Sequence, residues 1–315
     1  MSAHDGRYAP SPSGPLHVGN LRTALLAWLF ARSQHARFVL RIEDLDPQRS
    51  RREYEHSAIA DLRRLGLDWD GEPLRQSEQR ERHREAFEQL RAAGRVYPCW
   101  CTRAEVRRAS QAPHGEDEDG GSYPGTCREL SADQRRARER GGSPRAWRLA
   151  ARGERAAFTD LIHGRQSGTV DDFVLWRGDD VPAYNLAVVV DDADEQVGEV
   201  VRGDDLLETT PRQVLLAELL SLATPRYVHV PLVLGEDGKR VAKRHSGAPG
   251  AGPIKRDEPV EQLIGWMASS VGLAEQGASL SAAALLARFD ASRQSQPTLL
   301  EALQRDGTPG RVALR

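Results

Sequence analysis

Three cysteines in 315 residues are too few for a disulfide framework. Two of them, Cys99 and Cys101, flank one tryptophan and stand too close together for an ordinary bridge, so a reducing compartment is expected. Excess charge of either sign is also missing: 44 Lys and Arg oppose 46 Asp and Glu, for a net charge of -2. The overall basic signature of a nucleic-acid binder is therefore absent, and any polyanion must meet a local patch. Long apolar runs are lacking as well. No segment reaches the roughly 18 consecutive apolar residues of a membrane span, and Met1 to Arg7 contain no apolar signal core. These absences exclude a secreted disulfide scaffold and a helical membrane protein, and they predict a cytoplasmic protein with no membrane partner.

What is present is the composition of an ordinary globular enzyme, with 39% hydrophobic and 29% charged residues. The length accommodates one large α/β domain with insertions or two modest domains. Arginine dominates the basic set, and its planar fork suits bidentate contact with phosphate or carboxylate.

Apolar spacing predicts a helix over Leu16 to Arg32, a short strand at Phe38 to Ile42 and an amphipathic helix over Tyr54 to Leu65. Such alternation argues for a parallel sheet. The pattern breaks between Cys99 and Gly142, where Gly115 to Gly121 is acidic and glycine-rich and Gln134 to Arg140 is densely charged. That stretch reads as the body of an insertion. β-rich segments return at Phe173 to Trp176, Asn185 to Val190 and Tyr227 to Leu234, with a helix predicted over Pro211 to Leu222. The expected organisation is a catalytic domain in two halves, 1–98 and 172–245, an insertion at 99–171, and a short helical region at 246–315. Helices are expected there over Pro259 to Val271 and Ala282 to Phe289.

Several residue clusters carry chemistry. The turn-rich run Arg7-Tyr8-Ala9-Pro10-Ser11-Pro12-Ser13-Gly14-Pro15-Leu16-His17-Val18-Gly19-Asn20 leads straight into a helix. His17 and Asn20 stand three apart at its start, where both can face a phosphate drawn by the helix dipole and free N–H groups. Gly19 would let a nucleotide approach the backbone. Taken alone, His17 reads as a solvated histidine on an ordinary helix cap. Glu43 comes directly after the strand Phe38 to Ile42, at the carboxyl edge where open α/β sheets bind ligands. A carboxylate there can hold an amino group, or simply serve as an acidic helix N-cap after the strand.

Further along, Tyr184 opens an apolar run and Arg202 stands in Val200-Val201-Arg202-Gly203-Asp204-Asp205. In isolation Arg202 is a surface arginine paired to Asp204 or Asp205, and Tyr184 begins a buried strand. The basic run Asp237-Gly238-Lys239-Arg240-Val241-Ala242-Lys243-Arg244 reads as a phosphate-facing loop or a solvated hairpin tip. Cys99, Cys101 and Cys127 lie close in sequence to Tyr123 and His114, a soft donor set that suits zinc or, alternatively, a buried thiol cluster.

Together these motifs resemble the class I aminoacyl-tRNA synthetases, glutamate-specific branch, and within it the truncated glutamyl-queuosine tRNA(Asp) synthetases. The resemblance runs from residue 7 to about 245 in the family's order. It implies an α/β Rossmann-type class I synthetase catalytic domain with an inserted zinc-containing subdomain and a short helical C-terminal region, without a full anticodon-binding domain. It implies activation of L-glutamate by ATP with Mg2+, and transfer to queuosine on the anticodon arm of tRNA(Asp). By the same resemblance, His17, Asn20 and Lys243 are catalytic, with Gly19 beside them at ATP. Arg7, Ser11, Glu43, Tyr184 and Arg202 bind glutamate, the last through its side-chain carboxylate. Cys99, Cys101, Tyr123 and Cys127 hold structural zinc, with His114 as a substitute for Tyr123. A monomer is expected. The loop departs from the family pattern, with Arg240 for a lysine and Ala242 for a serine. A minimal tRNA(Glu)-charging enzyme and a silent zinc-containing RNA-binding homologue remain alternatives.

Overall fold

The computed structural model describes residues 4–110, 123–233, 259–289 and Leu303. In chain order the first elements are β1 (Gly6–Tyr8), α1 (Val18–Ser33), β2 (Phe38–Ile42), α2 (Arg52–Arg64), β3 (Leu74–Arg75) and α3 (Arg80–Ala92). Then come β4 (Val96–Cys99), α4 (Arg103–Ser110), α5 (Ala132–Arg140), β5 (Ala146–Leu149), β6 (Arg155–Asp160), β7 (Gly164–Thr169) and β8 (Val174–Arg177). The last are α6 (Tyr184–Asp194), β9 (Glu199–Gly203), α7 (Thr210–Leu220), β10 (Arg226–Val230), α8 (Val260–Ser269) and α9 (Ala282–Arg288).

The main sheet has seven strands in the order β3-β2-β1-β9-β10-β6-β7. All neighbours are parallel except the β6–β7 hairpin. Helices cover both faces. One apolar core joins α1 and α2 to α8 and α9 through Leu25, Leu62, Ile264 and Leu285. The other packs α3, α6 and α7 through Phe87, Val188 and Leu216. This is a doubly wound Rossmann-type sheet, and the order reverses between β1 and β9, the position at which such folds bind ligands beyond the strand ends. Among the described residues no helix is long and apolar enough to cross a membrane.

The helix α1 forms because its apolar residues nearly encircle it; Leu21, Leu25, Leu26 and Leu29 are all buried. Its first turn is closed by a capping box in which the His17 ring accepts from backbone N–H groups and the Asn20 side chain accepts from the His17 N–H.

Three expectations need correction. Asn185 to Val190 is not a strand but the middle of α6. The run Leu-Ala-Val-Val-Val has β propensity, yet it is buried on every side between sheet and helices, and packing overrides the preference. Tyr184 accordingly opens a helix. The strand around Phe173 to Trp176 exists, but β8 belongs to a separate three-stranded antiparallel sheet, β4-β5-β8, not to the main sheet. Conversely, the β6–β7 hairpin, inside the stretch 99–171 read as an insertion, is bonded to β10 and widens the main sheet.

Candidate active site

Arg7 on β1 and Arg202 on β9 face the switch point of the sheet, and both are buried. The side chain of Arg7 is fixed from α6, where Asp192 Oδ1 accepts from its Nε at 3.1 Å, and from β9, where the Val201 carbonyl accepts from Nη1 at 3.3 Å. Asp192 also binds Arg41 Nη2 at 2.6 Å. Arg41, fully enclosed at the end of β2, additionally meets Glu195 and lies 3.9 Å from both Glu43 and Asp191. Asp191 is held in turn by Gln76 at 2.7 Å and by His83 at 2.7 Å.

The charges in this cluster decide its protonation. Burial opposes the ionised form of Asp192, but the Arg7 and Arg41 guanidiniums outweigh it and keep the carboxyl below its ordinary range. Burial likewise opposes the charge on Arg41, and four surrounding carboxylates more than restore it. Glu43 goes the other way. Desolvation dominates over Arg41 and Arg7, and its carboxyl is pushed up to about 7. A buried carboxyl with so weak a hold on its charge is suited to receive a cationic group that restores it. The Tyr184 hydroxyl is raised first by desolvation and then by the Glu43 charge, with Arg202 and Arg7 acting against both. The charges of Glu43, Arg202 and Arg7 thus all act on the Tyr184 hydroxyl, and Tyr184 itself is 37% exposed.

Arg202 does not pair with Asp204 or Asp205. Its Nε donates to His229 Nε2 at 3.0 Å, Nη1 to Gln213 at 2.7 Å and Nη2 to Thr210 at 2.8 Å. Ser11 lies exposed in the loop between β1 and α1. That loop is tied to the β2 edge where the Pro10 carbonyl accepts from the Glu43 N–H at 3.0 Å.

The His17 ring caps α1, accepting at Nδ1 from Gly19 N–H at 3.1 Å and from Asn20 N–H at 3.4 Å. A Cβ at Gly19 would stand 3.0 Å from His17 Cε1, so a larger residue there would require the ring to shift by a few tenths of an ångström. The small size of Gly19 serves the histidine as directly as it would a nucleotide. Lys243, the rest of its loop and His114 lie outside the described residues.

The cysteines form a second cluster. The Sγ atoms of Cys99, Cys101 and Cys127 all lie within 4.8 Å of one another. Tyr123 Oη lies 3.6 Å from Cys99 Sγ and 3.4 Å from Cys101 Sγ. Thiolate–zinc bonds of ~2.3 Å in a tetrahedron fit such spacings, so the donor set is compatible with zinc. Cys127 is drawn well below the ordinary thiol range because Cys99 donates to it, which leaves Cys99 raised. The Arg148 guanidinium stacks 4.0 Å from the Tyr123 ring centre and offsets anionic charge there.

With this geometry in place, comparison with known proteins is decisive. The family model described as "tRNA synthetases class I (E and Q), catalytic domain" matches residues 5–254. A glutamyl-Q tRNA(Asp) synthetase of Nocardia farcinica is 52% identical over 288 residues, covering 91% of this chain and 90% of that one. The chain belongs to this family of class I synthetases. A second glutamyl-Q tRNA(Asp) synthetase, from Symbiobacterium thermophilum, is 48% identical over 91% of this chain and 93% of its own. The glutamate–tRNA ligase of Aquifex aeolicus is 43% identical, but this chain covers 52% of it. Among solved structures, a glutamate tRNA ligase from Elizabethkingia meningosepticum in complex with its amino acid superposes with a TM-score of 0.79 at 25% identity. The match covers 100% of this synthetase chain and 67% of that one.

Sequence reasoning missed Asp192, Arg41, His83 and His229. Two signals were available: Arg41 interrupts an apolar strand, and Asp191-Asp192 ends an apolar run, both costly placements for charge unless paired.

Proposed function

We propose that this synthetase activates L-glutamate with ATP and transfers the glutamyl group to queuosine at the wobble position of tRNA(Asp). The observation that carries the reading is the 52% identity to a glutamyl-Q tRNA(Asp) synthetase over nine-tenths of both chains. The charged cluster at the β1–β9 switch point supports it chemically. Arg202 and Tyr184 receive the side-chain carboxylate of glutamate, a pairing that selects it over glutamine. Glu43 receives the ammonium, with Arg7 and Ser11 completing the amino-acid site. His17, Gly19, Asn20 and Lys243 bind ATP, whose phosphates meet the start of α1. Mg2+ bound with the ATP phosphates would supply positive charge to the departing pyrophosphate.

The α-carboxylate of glutamate attacks the α-phosphorus of ATP, pyrophosphate leaves, and glutamyl-adenylate forms. A hydroxyl of the cyclopentene diol then attacks its carbonyl carbon, and AMP leaves. The chain's own contribution to both steps is positioning and electrostatics. Cys99, Cys101, Cys127 and Tyr123 would hold zinc, which would supply a structural tie. The enzyme works as a monomer in the cytoplasm.

Glutamate-dependent exchange of labelled pyrophosphate into ATP tests the first step. Exchange that requires glutamate and is not supported by glutamine is expected. Its absence in zinc-replete protein would leave the silent RNA-binding homologue as the better description.

A further inference from the structure

Arg202 is buried against a histidine that the proposed reaction leaves without a role. His229, fully buried on β10, offers Nε2 to Arg202 Nε at 3.0 Å. Its other ring nitrogen, Nδ1, lies 2.7 Å from Asp160 Oδ2 at the end of β6. The donors fix the tautomer. The guanidinium Nε carries a hydrogen under all ordinary conditions, so Nε2 of the ring must be bare and Nδ1 must carry the proton that Asp160 accepts. Thr210 Oγ1, which accepts from Arg202 Nη2, also lies 3.1 Å from His229 Nε2, and its one hydroxyl proton goes either to that nitrogen or to the Leu206 carbonyl at 2.8 Å; neither arrangement puts a proton on Nε2.

The carboxylate itself is locked. Oδ2 also accepts from the His229 N–H at 2.9 Å, while Oδ1 accepts from the N–H groups of Ile162 and His163, each at 2.9 Å. Burial also holds the His229 ring below its ordinary range, with the Arg202 charge adding to the effect and Asp160 opposing both. Three N–H groups of Arg202 are committed to His229, Gln213 and Thr210, leaving a pair for a carboxylate. Arginine at the end of a flexible stem delivers that pair in one direction only if its remaining bonds orient it.

We infer that Asp160 and His229 are positioning residues for substrate selection: the carboxylate fixes the neutral, Nδ1-protonated tautomer of His229, whose bare Nε2 aims Arg202 at the glutamate side chain. This rests on the assignment of Arg202 to that carboxylate. The signature lies in ground-state binding, because Arg202 meets a part of the substrate that does not react; KM for glutamate should move while kcat does not.

The test compares His229→Leu, His229→Gln and Arg202→Ala in glutamate-dependent pyrophosphate exchange, alongside nitrogen-15 NMR of the wild-type histidine rings. His229→Leu should raise KM for glutamate about tenfold or more, the size of a lost bond to a charged group, with kcat within about twofold. His229→Gln, whose amide oxygen can replace Nε2 as acceptor, should recover most of that loss. The wild-type ring should show protonated Nδ1 and bare Nε2, a measurement that needs no variant to fold. If Arg202→Ala itself leaves KM unchanged, the reading of Arg202 fails. If Arg202→Ala is impaired while His229→Leu keeps wild-type KM, or if Nε2 carries the proton, the positioning inference alone is overturned.

Discussion

Asp192 reaches from α6 to Arg7 on β1 at 3.1 Å, joining two residues 185 positions apart in the sequence. The same carboxylate holds Arg41, so one acidic residue is shared by two buried guanidiniums.

Removing it should therefore cost stability as well as binding. Asp192→Ala leaves Arg7 and Arg41 short of a counter-charge, and breaking a buried pair in this way costs about 3–5 kcal/mol. Urea denaturation should show that loss, with Asp192→Asn between the variant and wild type. A loss below ~1 kcal/mol would mean that Glu195 and Glu43 suffice for Arg41.

Glu43 gives the site a pH dependence. Its folded-state pKa, about 7, lies above the ordinary value of 4.5. In the empty protein its contribution to stability is fully present below that ordinary value and is lost as pH rises through about 7. Ammonium binding needs the ionised form, so glutamate binding runs oppositely. KM for glutamate should fall as pH rises toward about 7 and level off above it, and Glu43→Gln should remove the slope. A flat wild-type profile would remove Glu43 from the ammonium site.

How much of this was legible in the sequence varies with the kind of interaction. The helix over 16–32 and the strand at 38–42 could be read because their apolar periods are local and their packing agrees with them. Glu43, Tyr184 and Arg202 could be named from motif resemblance. Their setting could not, because Asp192, His83 and His229 act through partners more than twenty residues away, and no local pattern encodes such pairing. The Asn185 to Val190 run misled because β-branched residues buried on all sides give no period of either kind.

Chelation of the cysteine cluster should be local in effect. Cys127→Ala or zinc removal should lower the melting temperature and raise hydrogen exchange around β4 and residues 123–130. The main sheet should keep its protection. Exchange that rises equally across β1, β9 and β10 would show that the metal supports the whole fold.

Gly19→Ala separates helix stability from site geometry. Alanine favours a helix interior by up to ~1 kcal/mol, yet its Cβ would press on His17. Melting temperature should change little while the rate of pyrophosphate exchange falls at least about tenfold, the scale of a misplaced reacting group. An unchanged rate would show that the His17 ring position is immaterial to ATP.

The most direct test of the central claim is transfer of labelled glutamate, in the presence of ATP, to tRNA(Asp) with and without queuosine, with tRNA(Glu) alongside. Label confined to queuosine-bearing tRNA(Asp) is the predicted result. Label on tRNA(Glu), or equal labelling of tRNA(Asp) lacking queuosine, would contradict it.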